Sequence, residues 1–326
     1  MNKKTILHIG LPKTATTLLQ EMVFVNIKDV FYIGLPKINE IKDTPLIYIN
    51  ELNKITSKKN SMDKKEIATI KNQAKAYLEQ VKSEIILFSN ETLCGQITSF
   101  SNTQENAIFL KEIFENSKIV FTIRKQSDWA ESIYNQIMTK HNKYIINEKF
   151  LGYRHGSSIN KFFNYKNDEF AKNSAIYNLN WLSMAKDYIE TFGKENVLVL
   201  PYELLKGNLN DFLNRFYEFT GLEPYFPEEI KNVNKRIDNK LIKYSPILSA
   251  YSELTQNLPN SWVKNFILKN DRGIKKFLLK NNLRELDISK ELFTANQKEF
   301  IRDYYQESNK QLSELIGFDL EQYGYY

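Results

Sequence analysis

The chain has 326 residues, 42% apolar, 13% aromatic and 26% charged, with 45 Lys and Arg against 39 Asp and Glu. Its one cysteine, Cys94, excludes an internal disulfide and a cysteine-based zinc site, and gives no reason to expect an oxidising compartment. The +6 charge suits an anionic ligand; no apolar run reaches the roughly 18 residues of a membrane span, and MNKKTILHIGLPKT lacks a signal h-region, so a cytoplasmic protein is expected.

Residues 5–9 (TILHI) form a short apolar run that stops at Gly10-Leu11-Pro12 and gives way to a helix-compatible stretch, 16–25. That is a strand, a tight loop and a helix. Strand character returns at 30–33, 85–89 (IILFS), 118–123 (KIVFTI) and 196–200 (NVLVL), and helical patterns occupy 63–82, 105–116, 127–139, 175–192, 209–220 and 295–316. Within 175–192, Tyr177, Trp181, Met184, Ala185 and Tyr188 recur at helical spacing, a stripe for burial against a sheet, and Gly193 stops that helix. Apolar strands alternating with helices predict an α/β fold with a central, mostly parallel sheet flanked by helices. One domain, 1–326, is expected: an α/β core over 1–240, a polar and aromatic excursion over 140–172, and a helical C-terminal extension over 241–326.

The first loop, Gly10 to Thr17 (GLPKTATT), sits between a strand and a helix N-terminus, where free N–H groups and the helix dipole favour an anion. Against the nucleotide-binding pattern GxxxxGK[ST], Gly10 and Thr17 match, but Ala15 and Thr16 replace the Gly-Lys pair and the lysine stands at Lys13. A nucleoside triphosphatase needs that lysine later in the loop, to reach the β- and γ-phosphates. The loop thus reads as a phosphate cradle without triphosphate equipment, or, more simply, as a polar helix start capped by threonine.

PKTATTLLQ resembles the 5′-phosphosulfate loop, PK(T/S)GT(T/S)xL, of sulfotransferases that use 3′-phosphoadenosine 5′-phosphosulfate (PAPS). Ala15 departs from the pattern's Gly, which implies a backbone conformation that tolerates a Cβ. A second matching element follows KIVFTI: Arg124, with Ser132 eight residues later, stands where the family holds the 3′-phosphate with an arginine at a strand end and a serine on the next helix. The third is NVLVLPYELL, whose Tyr202 takes the place of a tyrosine beside the adenine; packing at a strand end is the alternative. Lys235 and Arg236, in NVNKRI, fall where the family closes a basic loop over the nucleotide, and could equally be solvated charges. The terminal YGYY echoes bacterial members that sulfate glycans and is read as packing. The resemblance implies the P-loop-like sulfotransferase fold, PAPS as donor, PAP as product, and no metal.

On this reading Pro12, Lys13, Thr14, Ala15, Thr16 and Thr17 would bind the 5′-phosphosulfate, with Lys13 steadying charge on the departing phosphate. The acceptor hydroxyl must also lose a proton. Glu91, directly after IILFSN, matches the carboxylate of family members acting on carbohydrates; an N-cap partner or a ligand for Lys13 are its other readings. His141 is the reserve base, His8 is placed in the core, and Cys94 is read as a small hydrophobe. The aromatic and polar residues of 140–172, among them Tyr144, Tyr153, His155 and Phe162, suit a saccharide acceptor, either free or carried on a membrane-bound precursor approached from the surface. A P-loop kinase and a non-catalytic nucleotide- or polyanion-binding module are the competing readings; nucleic acid is not the expected partner.

Overall fold

The computed structural model describes residues 3–34, 64–94, 103–139, 179–229, 259, 262–270, 273–274 and 293–326. The apolar runs become one parallel sheet of β1 (Lys4–Ile9), β2 (Phe31–Ile33), β3 (Ile85–Asn90), β4 (Ser117–Ile123) and β5 (Val197–Pro201), ordered β2-β3-β1-β4-β5. The helices are α1 (Thr16–Leu18), α2 (Lys64–Gln80), α3 (Thr103–Ile113), α4 (Gln126–Thr139), α5 (Trp181–Phe192), α6 (Tyr202–Gly207), α7 (Leu209–Thr220), α8 (Trp262–Lys269) and α9 (Ala295–Ile316).

Side chains that alternate along the strands supply two cores. On one face Ile6, Leu87, Val120 and Leu200 pack with Leu19, Val23 and Phe24, which follow α1, and with Phe212, Leu213 and Phe216 of α7. On the other, Phe88 meets Phe114 (centroids 6.1 Å apart) and Phe121 meets Tyr188 of α5 (5.9 Å). Each such large side chain, taken from water, contributes about 1.5–3 kcal/mol. Coverage of both faces explains why the strands read as continuous apolar runs rather than alternating ones.

Three local departures from the expected elements have physical causes. The helix after the first loop is regular only over Thr16–Leu18; it widens into a π-helical turn, Leu19–Val23, and ends in a 3₁₀ turn, Phe24–Asn26. The helix expected over 175–192 begins only at Trp181, because Asn180 caps it, its side-chain oxygen accepting the Ser183 N–H at 3.1 Å; Tyr177 of the expected stripe lies outside the described residues. The rest of that stripe, Trp181, Met184, Ala185 and Tyr188, is buried. By contrast α7 keeps its expected limits, capped by Asn208 in front and by Gly221 behind, whose left-handed φ of 63° closes the helix.

The chain divides into two compact units. The first, Met1–Trp129, Ala175–Val233 and Phe300–Tyr326, contains the whole sheet. The second comprises Ala130–Ser174 and Asn234–Glu299; within it, Lys298 Nζ lies 3.3 Å from the carboxylate of the buried Glu131.

Candidate functional site

Parallel strands put all their carboxyl ends along one edge, and the strand order turns at β1, with β2 and β3 on one side and β4 and β5 on the other. Open α/β sheets bind ligands at such a switch point. Register then decides which residues meet. Ile9 pairs with Asn90 and Ile123 with Pro201, so Gly10 leaves the sheet beside Glu91, and Arg124 leaves it beside Tyr202. A Cβ on Gly10 would stand 2.6 Å from Thr16 Cγ2 and 3.3 Å from Glu91 Cα, so only glycine fits there.

The loop is shaped by its backbone. Lys13 (φ 67°) and Ala15 (φ 66°) are both left-handed while Thr14 between them is not, an alternation that turns successive N–H groups towards a common concavity. Ala15 therefore keeps a glycine-type conformation in spite of its Cβ, at a cost of about 1–2 kcal/mol. Three consecutive carbonyls are tied back. Leu11 O accepts the buried hydroxyls of Thr14 (2.6 Å) and Thr16 (3.1 Å), Pro12 O accepts Trp129 Nε1 (2.8 Å), and Lys13 O accepts Arg124 Nη1 (2.9 Å). With its carbonyls engaged elsewhere, the loop offers donors to an anion. No side chain caps α1, so the threonine-cap alternative is not what the loop adopts. The hydroxyls of Thr14 and Thr16 hold the loop, and Thr17 is half-buried.

Arg124 is fixed from several directions. Its guanidinium lies over the Tyr202 ring, 4.6 Å from the centroid, and its carbonyl accepts Trp181 Nε1 at 2.9 Å. Its Nε is buried with no hydrogen-bond partner among the described residues. A buried guanidinium N–H in that state fits an anionic oxygen, the group that a 3′-phosphate would bring. Ser132 is half-buried on α4, in the second compact unit.

Glu91 is half-buried at the head of a 3₁₀ turn, Glu91–Cys94. The turn is held by the Cys94 thiol donating to Glu91 O at 3.0 Å and by Asn106 and Tyr188 (3.3 Å), both of which donate to Leu93 O. Cys94 is buried, as a small hydrophobe should be, and burial pushes its thiol well above the ordinary range. Just before it, Ser89 Oγ stands 2.8 Å from His8 Nδ1 and accepts from Gln20 Nε2 at 3.0 Å. This buried brace joins the helical segment after the loop to β3, the strand that leads into Glu91. His8 has its pKa pushed down to about 3 by burial, so it stays neutral and structural.

His141, Lys235, Arg236 and the excursion 140–172 lie outside the described residues. The parts that Trp129, Trp181, Glu203 and Tyr325 play around the site escaped sequence reasoning, which places Trp181 only in a buried stripe and the terminal YGYY only in packing. The two tryptophans carried a usable signal, since a buried indole N–H needs an acceptor; the acceptors here are main-chain carbonyls of the loop and of Arg124, which no motif records. Among the described residues no group of three or more His, Cys, Asp or Glu could hold a metal ion, and no helix is long and apolar enough to cross a membrane.

A family model for the sulfotransferase domain matches residues 3–313. No curated protein sequence matches the chain. Among solved structures, a sulfotransferase from Alicyclobacillus acidocaldarius is similar at 11% identity and TM-score 0.52, covering 99% of each chain, a likeness of fold. A mouse sulfotransferase complexed with PAP aligns at 13% identity and TM-score 0.40 over 97% of this chain and 89% of its own. The sulfotransferase domain of the Synechococcus PCC 7002 olefin synthase aligns at 14% and 0.30, over 87% and 95%.

Proposed function

The chain belongs to the sulfotransferase-domain family, whose donor is PAPS, and from that premise we propose that it transfers a sulfuryl group to a hydroxyl of a saccharide acceptor, a glycan or glycolipid precursor, with Glu91 as the base. The observation that carries this reading is the hydrogen bond from Arg124 Nη1 to Lys13 O together with the stacking of Arg124 on Tyr202, which ties three sequence-distant nucleotide-binding candidates into one place.

When bound, PAPS supplies a sulfuryl group on an already activated phosphate. The N–H groups from Lys13 to Thr17 and the Lys13 ammonium would hold the 5′-phosphate end and offset the charge that grows on it as the S–O bond to phosphate breaks. Arg124, with Ser132 on the following helix, would hold the 3′-phosphate, and Tyr202 would present its ring to the adenine. Glu91 would take the proton of the acceptor hydroxyl as its oxygen bonds to sulfur, leaving PAP as the other product. Lys235 and Arg236 are assigned to closure over the nucleotide, and His141 is the reserve base. The saccharide assignment is supported by the aromatic sequence of 140–172 and by the carboxylate at the end of β3. On this reading residues 1–326 form a single sulfotransferase domain.

Glu91→Gln keeps shape and hydrogen bonding while removing the basic oxygen. It should lower kcat by about 10²–10⁴-fold, the usual yield of general base catalysis, and leave PAP affinity as in the parent. Mass spectrometry of candidate glycans incubated with PAPS reads the product directly, as the sulfate mass increment. Parent-level turnover in Glu91→Gln, with loss of turnover in His141→Ala, would transfer the base to His141.

A further inference from the structure

The terminal YGYY, read from the sequence as packing, does more than fill space. Tyr325 is 1% exposed, and its hydroxyl donates to Glu203 Oε2 at 2.8 Å. The other carboxylate oxygen, Oε1, accepts the main-chain N–H of Lys125 at 3.0 Å. Glu203 therefore spends both oxygens between the C-terminal segment and the residue next to Arg124. Since Glu203 also follows Tyr202, whose ring carries the Arg124 guanidinium, the connections close on themselves: Arg124 side chain, Tyr202 ring, Glu203 carboxylate, Lys125 N–H and back to Arg124.

A second set of bonds fixes the next residue. The Gln126 and Asn309 side-chain amides exchange hydrogen bonds (2.8 and 3.1 Å), Asn309 Nδ2 also donates to Tyr325 O (2.8 Å), and Gln126 Nε2 reaches Leu179 O (3.3 Å). The whole turn Arg124-Lys125-Gln126 is thus held from outside, from α6, α9 and the tail. Burial raises the Glu203 carboxyl, while the Lys125 N–H, the Tyr325 hydroxyl and the Arg124 charge all favour its ionised form. Burial keeps the Tyr325 phenol protonated and hence a donor.

We infer that Tyr325 and Glu203 are positioning residues for nucleotide binding: through Lys125 they set the backbone from which Arg124 reaches the 3′-phosphate. The inference rests on the assignment of Arg124 to that phosphate. Neither residue touches the nucleotide; their effect passes through the main chain and through the Tyr202 ring.

The test uses the full chain and compares two probes, PAP and 5′-AMP, the second of which lacks the 3′-phosphate. Tyr325→Phe keeps the buried ring and removes only the hydroxyl. It should weaken PAP binding about tenfold, the scale of one charge-assisted hydrogen bond, while 5′-AMP binding stays within about twofold of the parent. The KM for PAPS should rise in parallel, with kcat at saturating PAPS held. Glu203→Gln is the second variant, read in the same way if Tyr325→Phe does not fold. A lowered melting temperature with PAP affinity unchanged would mean that Tyr325 only packs, and would overturn the inference. Equal weakening towards PAP and 5′-AMP would overturn it too, since the effect would not be directed at the 3′-phosphate. Arg124→Ala separates the underlying assignment: unchanged PAP affinity there removes Arg124 from the phosphate, and the positioning role falls with it.

Discussion

Two regions at the same edge of the sheet would grip the two phosphate ends of one nucleotide, and they are built in opposite ways. The loop from Gly10 to Thr17 is contiguous and made of backbone: left-handed Lys13 and Ala15 bend it, and carbonyls from Leu11 to Lys13 are tied back so that N–H groups remain for an anion. The Arg124 corner, just past the end of β4, is held by side chains drawn from α5, α6, α9 and the C-terminal segment, through bonds that span up to 183 positions of sequence. A backbone cradle tolerates changes in most of its side chains but not in its conformation. A side-chain corner behaves in the reverse manner, since it depends on each partner keeping its chemistry.

Within these two regions the largest effect is expected where the backbone loop contributes a charged side chain. Lys13→Ala should reduce kcat by about 10²–10³-fold, as loss of one group aimed at developing charge does, and weaken PAP binding as well. Unchanged turnover would reduce the loop to its amides. A smaller effect is expected at the bond that joins α4 to the loop. Trp129→Phe frees Pro12 O from its indole partner, leaving a buried acceptor unsatisfied, and should cost about 1–3 kcal/mol in denaturant unfolding with a loss of PAP affinity. Full stability with weakened PAP binding would show that the indole acts on the loop's shape alone.

The smallest effect sharpens the comparison most. Ala15→Gly relieves a left-handed alanine, worth about 1–2 kcal/mol, but adds about 0.5–1 kcal/mol of chain entropy to the unfolded state. The net should be a stabilisation of up to about 1.5 kcal/mol, with PAP affinity equal to the parent's, because the loop already holds the glycine conformation. A gain in PAP affinity instead would mean that the Cβ strains the cradle itself.

Legibility followed the same division. The loop could be read because its marker residues are local: a lysine, threonines and a glycine stand at short spacing after an apolar strand, although Trp129 and Arg124 complete the hold on its carbonyls. Arg124 and Tyr202 could be proposed from strand-end motifs, but that their side chains stack is a matter of strand register, Ile123 beside Pro201, which sequence spacing does not contain. The helix ending at Phe192 starts at Trp181, because the cap at Asn180 sets its first turn, and an apolar stripe alone does not reveal such a boundary. For Tyr325 the sequence supports packing and no more, because nothing in YGYY says which carboxylate its hydroxyl will find.

The sequence by itself determined a parallel α/β sheet, since apolar runs alternating with amphipathic helices can bury their surfaces in few other ways, and it marked a lysine-bearing loop after the first strand as the candidate anion site. The tertiary structure decided which strand ends are neighbours, which loop carbonyls are tied back by hydrogen bonds, and that the C-terminal segment braces the Arg124 turn. The physical reason is one of range. Conformation and burial pattern are set by residues a few positions apart, whereas hydrogen bonds between distant segments exist only once the sheet order and register have brought their donors and acceptors within 3 Å or so.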